Sequence, residues 1–232
     1  MTFVVGEIGV NWDGDFNLLK KMLKKCKEIG IDAIKFQAFN EEIVKGHPEI
    51  ERLLKSAVSE SNVKQINQIA NELDLEWFCT PMYPEAVDFL EPFVKRFKIR
   101  NSDGIKIIDG QSSELFNKIL KTNKEIIISS QKDPKTSKFF NDSRIKWLYC
   151  VPKYPCKLEE LNFNDIKKFN GFSNHCPKII APLTASILGA EIIEIHITSD
   201  KSKDFVDNNV SFDYNELTEL VNSIRLSEKI KK

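Results

Sequence analysis

The chain has 232 residues, 41% of them hydrophobic, with Lys+Arg 34 balanced by Asp+Glu 34. This length predicts one sizeable domain with its own core, and the balanced charge excludes a generally basic nucleic-acid-binding protein. No run of 18 apolar residues and no secretory signal are visible, and five cysteines in apolar surroundings are typical of reduced thiols. We therefore expect a cytoplasmic protein outside any membrane.

Eight short runs rich in β-branched and aromatic residues predict eight strands, because such side chains suit the half-buried surface of a sheet. A segment with helical spacing follows nearly every run, so strands and helices alternate along the chain. In chain order the predicted strands are Phe3–Ile8, Ala33–Phe39, Glu76–Thr80, Phe97–Ser102, Glu125–Ser130, Ile145–Cys150, Gly171–His175 and Ile192–Thr198.

The first and last helices have the clearest periodicity. From Phe16 to Ile29 apolar residues recur every third or fourth position with lysines between them, and Gly30 supplies a left-handed cap. The last helix is predicted from about Tyr214 to Lys229, with its apolar residues on one side. The predicted helix N-caps are Asp15, Ser112 and Asp213.

Eight strand-and-helix units favour a closed (β/α)8 barrel, the TIM barrel, as a single domain over residues 1–232. The alternative is an open doubly wound sheet, which usually has about five or six strands. The segment Gln131–Lys138 is short and polar, so the fifth helix is predicted to be short or missing.

In such a barrel the chemistry lies at the carboxyl ends of the strands, and unusual polar residues converge there. Alternation places Lys35 with Gln37, and Lys98 with Arg100, on shared strand faces. A lysine inside an apolar strand is costly to bury without an anion, although pairing with a carboxylate would explain any single one. The other residues at this end are Glu7, Thr80, Ser129, Tyr154, Ser173, His175, Glu194 and His196.

These residue types predict a cavity that binds an anion and a metal ion. Lysines and hydroxyl groups suit a phosphate together with a carboxylate. His175 and His196 end neighbouring strands, and Glu7 or Glu194 could add an oxygen ligand. Two imidazoles with oxygen suit Mn²⁺, Fe²⁺ or Zn²⁺ better than Mg²⁺.

Several ordered motifs resemble one family. From residue 3 to about 215 the chain is similar to the barrel domain of sialic acid (N-acetylneuraminate) synthases and their relatives that make other nonulosonic acids. The resemblance implies condensation of phosphoenolpyruvate with an open-chain N-acetylmannosamine-type aldose, with cleavage of the C–O bond of phosphoenolpyruvate. The motifs are Gly6–Asp15, Lys35–Gln37, Thr80–Pro81, Lys98–Ile99, Tyr154–Pro155, Gly171–His175 and Leu188–His196.

The resemblance also implies roles for individual residues. His175 and His196 would bind a divalent metal, Mn²⁺ first and Mg²⁺ or Co²⁺ as alternatives, and Asp207 would contact the sugar. Both substrates, phosphoenolpyruvate and the aldose, are partners, and a homodimer is a further expectation. The catalytic set would be Glu7, Gln37 and Glu194. The phosphoenolpyruvate-binding set would be Lys35, Thr80, Lys98, Ser129, Tyr154 and Ser173.

Some positions depart from the family pattern. Trp12-Asp13 stands where the family usually has His-Asn, and Arg100-Asn101 where a small residue and Ser are usual. The family barrel is normally followed by an antifreeze-like domain that covers the active site. We therefore expect the chain to bind phosphoenolpyruvate but to condense N-acetylmannosamine poorly or not at all. Activity would require a separate lid polypeptide, a smaller sugar, or a replacement lid from the loop around Asn40–Leu54.

Two other functions stay open from the sequence. One is a catalytically weakened barrel that binds an anionic ligand or a partner synthase subunit. The other is an aldolase in which Lys35 or Lys98 forms a Schiff base.

Overall fold

A computed structural model describes residues 1–230, which form a closed barrel of eight parallel strands. The strands follow one another around the barrel in chain order, and the first strand pairs with the last, so the predicted (β/α)8 fold is confirmed. The single-domain prediction includes Lys231 and Lys232, which lie outside the described residues, and it stays a prediction. Strands β1 to β8 are Phe3–Glu7, Ala33–Ala38, Glu76–Pro81, Arg96–Ile99, Glu125–Ser130, Ile145–Cys150, Gly171–Asn174 and Ile192–His196.

Helices form the outer layer, and local capping sets several of their ends. The Asp15 carboxylate accepts two amide hydrogen bonds at the start of the helix Phe16–Ile29, and Gly30 ends that helix with a φ of 93°. Asp213 caps the helix Tyr214–Ile230 in the same way, whereas the helix Glu114–Lys121 is capped by Ser113 and not by Ser112. Helices α1 to α9 are Phe16–Ile29, Glu41–Val44, Ile50–Ser56, Val63–Glu72, Glu85–Leu90, Asn101–Ile108, Glu114–Lys121, Ile180–Ile187 and Tyr214–Ile230.

The fifth and sixth units lack an α-helix within residues 1–230. After β5 there is one turn of 3₁₀ helix, Pro134–Thr136, which confirms the predicted weak fifth helix. After β6 only two such turns precede β7, Leu158–Glu160 and Ile166–Lys168, and the sequence analysis did not anticipate this.

Strand β4 is shorter than predicted and ends at Ile99 rather than Ser102. Arg100 is the N-cap of α6 with an extended backbone, so the helix begins at Asn101. Lys98 keeps its position within the strand, but Arg100 lies beyond it. The predicted inclusion of Arg100 in this strand is therefore wrong.

The hydrophobic core fills the barrel and the space between strands and helices. Helix α6 packs very close to β5, and only a glycine fits at position 104. A Cβ atom there would lie 2.1 Å from the carbonyl oxygen of Ser129. All five cysteines are buried free thiols. No helix in the described part of the chain is long and apolar enough to span a bilayer.

Candidate active site

The carboxyl ends of the strands open into a cavity of about 450 Å³. Every residue that the sequence analysis assigned to the site lines this one cavity, although their sequence positions span the whole chain. The barrel therefore brings the predicted set together, while the role of each member stays a prediction. The set is Glu7, Lys35, Gln37, Thr80, Lys98, Ser129, Tyr154, Ser173, His175, Glu194, His196 and Asp207.

Lys35 forms a buried ion pair on the floor of the cavity. Its Nζ lies 2.6 Å from Glu7 Oε2 and donates a hydrogen bond to Thr80 Oγ1 at 3.1 Å. Gln37, two residues along the same strand, donates through Nε2 to the other Glu7 oxygen at 2.6 Å. Because Glu7 is fully buried, these donors are what make an ionised carboxylate tolerable there.

Lys98 and Glu194 form the second half of the floor. Lys98 Nζ donates to Ser129 Oγ at 2.7 Å and lies 3.5 Å from Glu194 Oε1. The same carboxylate oxygen lies 4.0 Å from Lys35 Nζ and accepts a hydrogen bond from Ser173 Oγ at 2.8 Å. Glu194 thus bridges the two lysines, and its Oε2 is buried with no hydrogen-bond partner among the described residues.

This network shifts the protonation equilibria of its members. Burial lowers the pKa of Lys35, but Glu194 and Glu7 outweigh burial, so the pKa lies above its ordinary value. At Lys98 burial wins over the attraction of Glu194, and the pKa lies below its ordinary value. Burial raises the pKa of Glu194, but the two lysines together with Ser173 bring it down to about 2. Glu194 is therefore ionised at neutral pH and is a poor proton donor.

His175 is held as a neutral ring with a defined tautomer. Its Nδ1 donates to the Val151 carbonyl oxygen at 2.9 Å, and its Nε2 accepts from the Tyr154 hydroxyl at 2.7 Å. Burial, assisted by the nearby His196, lowers the pKa of His175 to about 3. Since a carbonyl can only accept, the proton lies on Nδ1 and the lone pair on Nε2.

His196 ends β8, with its ring centroid 5.5 Å from that of His175. Its Nδ1 lies 3.4 Å from Asp207 Oδ2. Burial lowers the pKa of His196, but Asp207 raises it overall; burial raises the pKa of Asp207, but His196 lowers it overall. The contact between the two side chains therefore favours their charged forms.

The orientation of the two histidine rings is suited to binding a divalent metal ion. Nδ1 of His175 bonds a backbone carbonyl oxygen and Nδ1 of His196 lies 3.4 Å from Asp207 Oδ2, which is how metal-binding histidines are usually oriented. An ion would bind through Nε2, and at His196 it would have to displace the proton that Asp207 favours. Within residues 1–230 no group of three or more His, Cys, Asp or Glu is arranged to hold a metal. The two imidazole nitrogens are the groups in this cavity that could hold such an ion, with water or substrate at its other positions.

The cavity also has a lining that sequence reasoning missed. Cys150 is the last residue of β6, so the strand-end rule could have identified it. The apolar residues carry no comparable signal, because in sequence they look like core or loop positions. Arg100 lines the cavity too, and its Nε donates to Asp103 Oδ2 at 2.8 Å. The apolar lining residues are Val10, Phe39, Ile43, Val44, Leu53, Met82 and Val206.

Trp12 and Asp13, which replace the family's usual His-Asn, are not among the residues that line the cavity. The buried indole of Trp12 donates to the Ser56 carbonyl oxygen at 3.0 Å. The two carboxylate oxygens of Asp13 accept from Nε and Nη2 of Arg52 at 2.8 and 2.9 Å. Both residues therefore fasten the segment 40–57 to the loop after β1.

Comparisons with known proteins agree with this architecture. The family model described as the NeuB family matches residues 22–232. An uncharacterized protein of Methanocaldococcus jannaschii is 33% identical over 99% of this chain and 72% of its own length. The N,N'-diacetyllegionaminic acid synthase of Legionella pneumophila is 29% identical over 98% of this chain and 72% of its own.

Among solved structures, the N-acetylneuraminic acid synthetase of Leptospira borgpetersenii, in complex with citrate, superimposes with a TM-score of 0.87 at 25% identity. The alignment covers 99% of this chain and 85% of that structure. The family match spans most of the chain and the barrel agrees in sequence and in three dimensions. The chain therefore belongs to the NeuB family, whose named members are nonulosonic acid synthases.

Proposed function

We propose that the chain catalyses the metal-dependent condensation of phosphoenolpyruvate with an N-acetylmannosamine-type aldose, giving a nonulosonic acid and inorganic phosphate. The observation that carries this proposal is the convergence of Lys35 and Lys98 with His175 and His196 in one cavity. Family membership supports the reaction class, and the cavity supplies groups for both an anion and a metal ion.

Lys35 and Lys98 would bind the phosphate and carboxylate of phosphoenolpyruvate. Each lysine already has a hydroxyl neighbour, Thr80 and Ser129 respectively, and Ser173 adds a third hydroxyl beside Glu194. Cations with adjacent hydroxyl groups form charge-assisted hydrogen bonds to phosphate and carboxylate oxygens. In a buried site these bonds also stabilise charge that moves towards the phosphate as the intermediate forms.

His175 and His196 would hold the metal ion through their Nε2 atoms. When bound, a divalent ion supplies Lewis-acid chemistry that makes an aldehyde carbon more electrophilic. The low pKa of His175, caused first by burial, keeps its lone pair available at neutral pH. The Tyr154 hydroxyl, which is bonded to His175 Nε2, has to yield that position to the ion.

The reaction balances as follows. C3 of phosphoenolpyruvate bonds to the aldehyde carbon, whose oxygen gains a proton and becomes a hydroxyl group. Water adds through its oxygen to C2 and gives up one proton, which balances the proton gained by the aldehyde oxygen. The bond between C2 and the phosphate oxygen then breaks, the hydroxyl proton at C2 passes to the departing phosphate, and a ketone remains. Glu7, oriented by Gln37 and Lys35, is the carboxylate we assign beside the reacting carbons.

Turnover by the purified chain tests the proposal. Phosphate release is followed with Mn²⁺, phosphoenolpyruvate and N-acetylmannosamine, and the keto-acid product is identified by mass spectrometry. We expect release to require both the aldose and the ion, and to disappear in His175→Ala but not in His47→Ala, a matched exposed histidine. Phosphate release that does not depend on the aldose would contradict the proposal. So would the absence of release with any divalent ion from N-acetylmannosamine and from smaller aldoses.

A further inference from the structure

The outer half of the cavity has an apolar side, which we call the apolar wall. All but one of its residues also belong to, or pack against, a small hydrophobic cluster separate from the barrel core. The cluster therefore borders the cavity. Packing against one another lowers the free-energy cost of exposing these apolar side chains to water. The apolar wall consists of Val10, Phe39, Ile43, Val44, Leu53, Met82 and Val206.

The wall is held in place by contacts on its outer side. Arg52 pairs with Asp13 and also donates to Glu49 Oε2 at 2.7 Å. The Val58 amide donates to the Gln37 carbonyl oxygen at 2.9 Å, which ties the end of the segment back to β2. A wall fixed at both ends presents a preformed surface, as small-molecule sites usually do.

The apolar wall has few neighbouring cations that could bind a second phosphate group. Among the described residues, the only cation that lines the cavity next to it is Arg100, whose Nη1 lies 3.7 Å from the sulfur of Met82. That guanidinium is already engaged by Asp103. Arg52 is engaged by two carboxylates and does not line the cavity. An anion placed against the wall would lose water and gain at most the one cation Arg100, whose charge a carboxylate already offsets in part.

We infer that the apolar wall is a specificity subsite that takes a methyl-bearing substituent of the aldose, such as its acetamido group, and disfavours a phosphorylated aldose. The inference rests on the proposed function, because it assumes that the lysines and histidines of the floor take phosphoenolpyruvate and the metal ion. The rest of the aldose then extends outwards, where a methyl group fits the wall and a phosphate does not.

Binding of unreactive open-chain sugars tests this without turnover. The alditols have no aldehyde, so their Kd is measured calorimetrically with phosphoenolpyruvate and Mn²⁺ present. We expect N-acetylmannosaminitol to bind about tenfold or more tightly than mannitol, as one methyl-sized group in an apolar pocket usually does. We expect its 6-phosphate to bind at least about tenfold more weakly than N-acetylmannosaminitol itself.

Two variants on one segment provide the matched comparison. Val44→Lys adds a cation to the wall, and Leu54→Lys adds the same charge to an exposed position that does not line the cavity. The preference for the unphosphorylated alditol should fall at least about tenfold in Val44→Lys and stay within about twofold in Leu54→Lys.

The outcomes separate the two proposals. Equal binding of mannitol and N-acetylmannosaminitol, or tighter binding of the 6-phosphate, overturns the wall assignment while phosphoenolpyruvate still binds. An unchanged preference in Val44→Lys overturns it as well. Failure of the unaltered chain to bind phosphoenolpyruvate overturns the proposed function itself, and this inference with it.

Discussion

Replacing Lys35 by Met should destabilise the fold as well as remove anion binding, because Lys35 is the cation of a buried network. At an effective dielectric constant of about 20, its 2.6 Å contact with Glu7 is worth about 6 kcal/mol of attraction and its 4.0 Å contact with Glu194 about 4 kcal/mol. Desolvation of the ions offsets several kcal/mol of this. Breaking a buried pair by removing one partner typically costs about 3–5 kcal/mol, which for a chain of this size lowers Tm by about 6–20 °C.

The double variant Lys35→Met/Glu7→Gln separates charge loss from misfolding. It removes the carboxylate responsible for about three fifths of that attraction, so it should recover about half of the lost unfolding free energy. Urea denaturation at pH 7, followed by tryptophan fluorescence, measures both variants, and the rise in Tm with phosphoenolpyruvate reports ligand binding. A Lys35→Met protein within about 1 kcal/mol of wild type that keeps the full ligand-induced rise would refute this reasoning.

Three further expectations follow from the site. His175→Ala and His196→Ala should each lose most Mn²⁺ binding, about one ion per chain, by calorimetry; unchanged stoichiometry and affinity in both would contradict the metal assignment. Borohydride reduction with a carbonyl substrate should leave Lys35 and Lys98 unmodified by mass spectrometry, and an adduct would favour a Schiff-base aldolase. The pKa of Glu194 is lowered from 4.5 to about 2, so its stabilising contribution is complete above pH 4.5 and is lost as the pH falls towards 2. In Glu194→Gln the urea denaturation midpoint should therefore vary less with pH between 4.5 and 2 than in the wild type. An equal pH dependence of the midpoint in both proteins would contradict the assignment.

The sequence was sufficient to predict the barrel and to predict residues that line its cavity. Strand alternation has a fixed period, so Lys35 and Gln37 had to share a face, and both do contact Glu7. Active sites of such barrels lie at the carboxyl ends of the strands, and this rule predicted one shared site. Residues as distant in sequence as Glu7 and Asp207 do line one cavity.

Competition between strand and helix at the end of β4 explains one error of the sequence prediction. Arg100 and Asn101 continue the polar alternation of β4, but the backbone turns into α6 there, and the close packing of Gly104 on β5 favours the helix over a longer strand. The apolar wall escaped notice because apolar residues in a loop look the same whether they pack on the core or line a cavity.

Contacts between residues distant in sequence explain why the role of Trp12 and Asp13 was not predicted. Trp12 and Asp13 stand where the family usually has His-Asn, so this chain lacks the imidazole at that position. Their partners, Ser56 and Arg52, lie about forty residues away, and no local pattern predicts such a pairing. The substitution is compatible with an active barrel because these side chains fasten the wall segment instead of lining the cavity.

The charge balance of the floor links the stability of the site to its proposed chemistry. With both lysines protonated, Lys35, Lys98, Glu7 and Glu194 sum to zero formal charge, so the fold can bury them together. The same balance opposes a highly anionic ligand, because each carboxylate competes with it for a lysine. A divalent ion on the two histidines would add positive charge at the side of the cavity and shift that competition. Ion and anion would then raise each other's affinity by the same factor, which is what linkage requires of two ligands that share one electrostatic field.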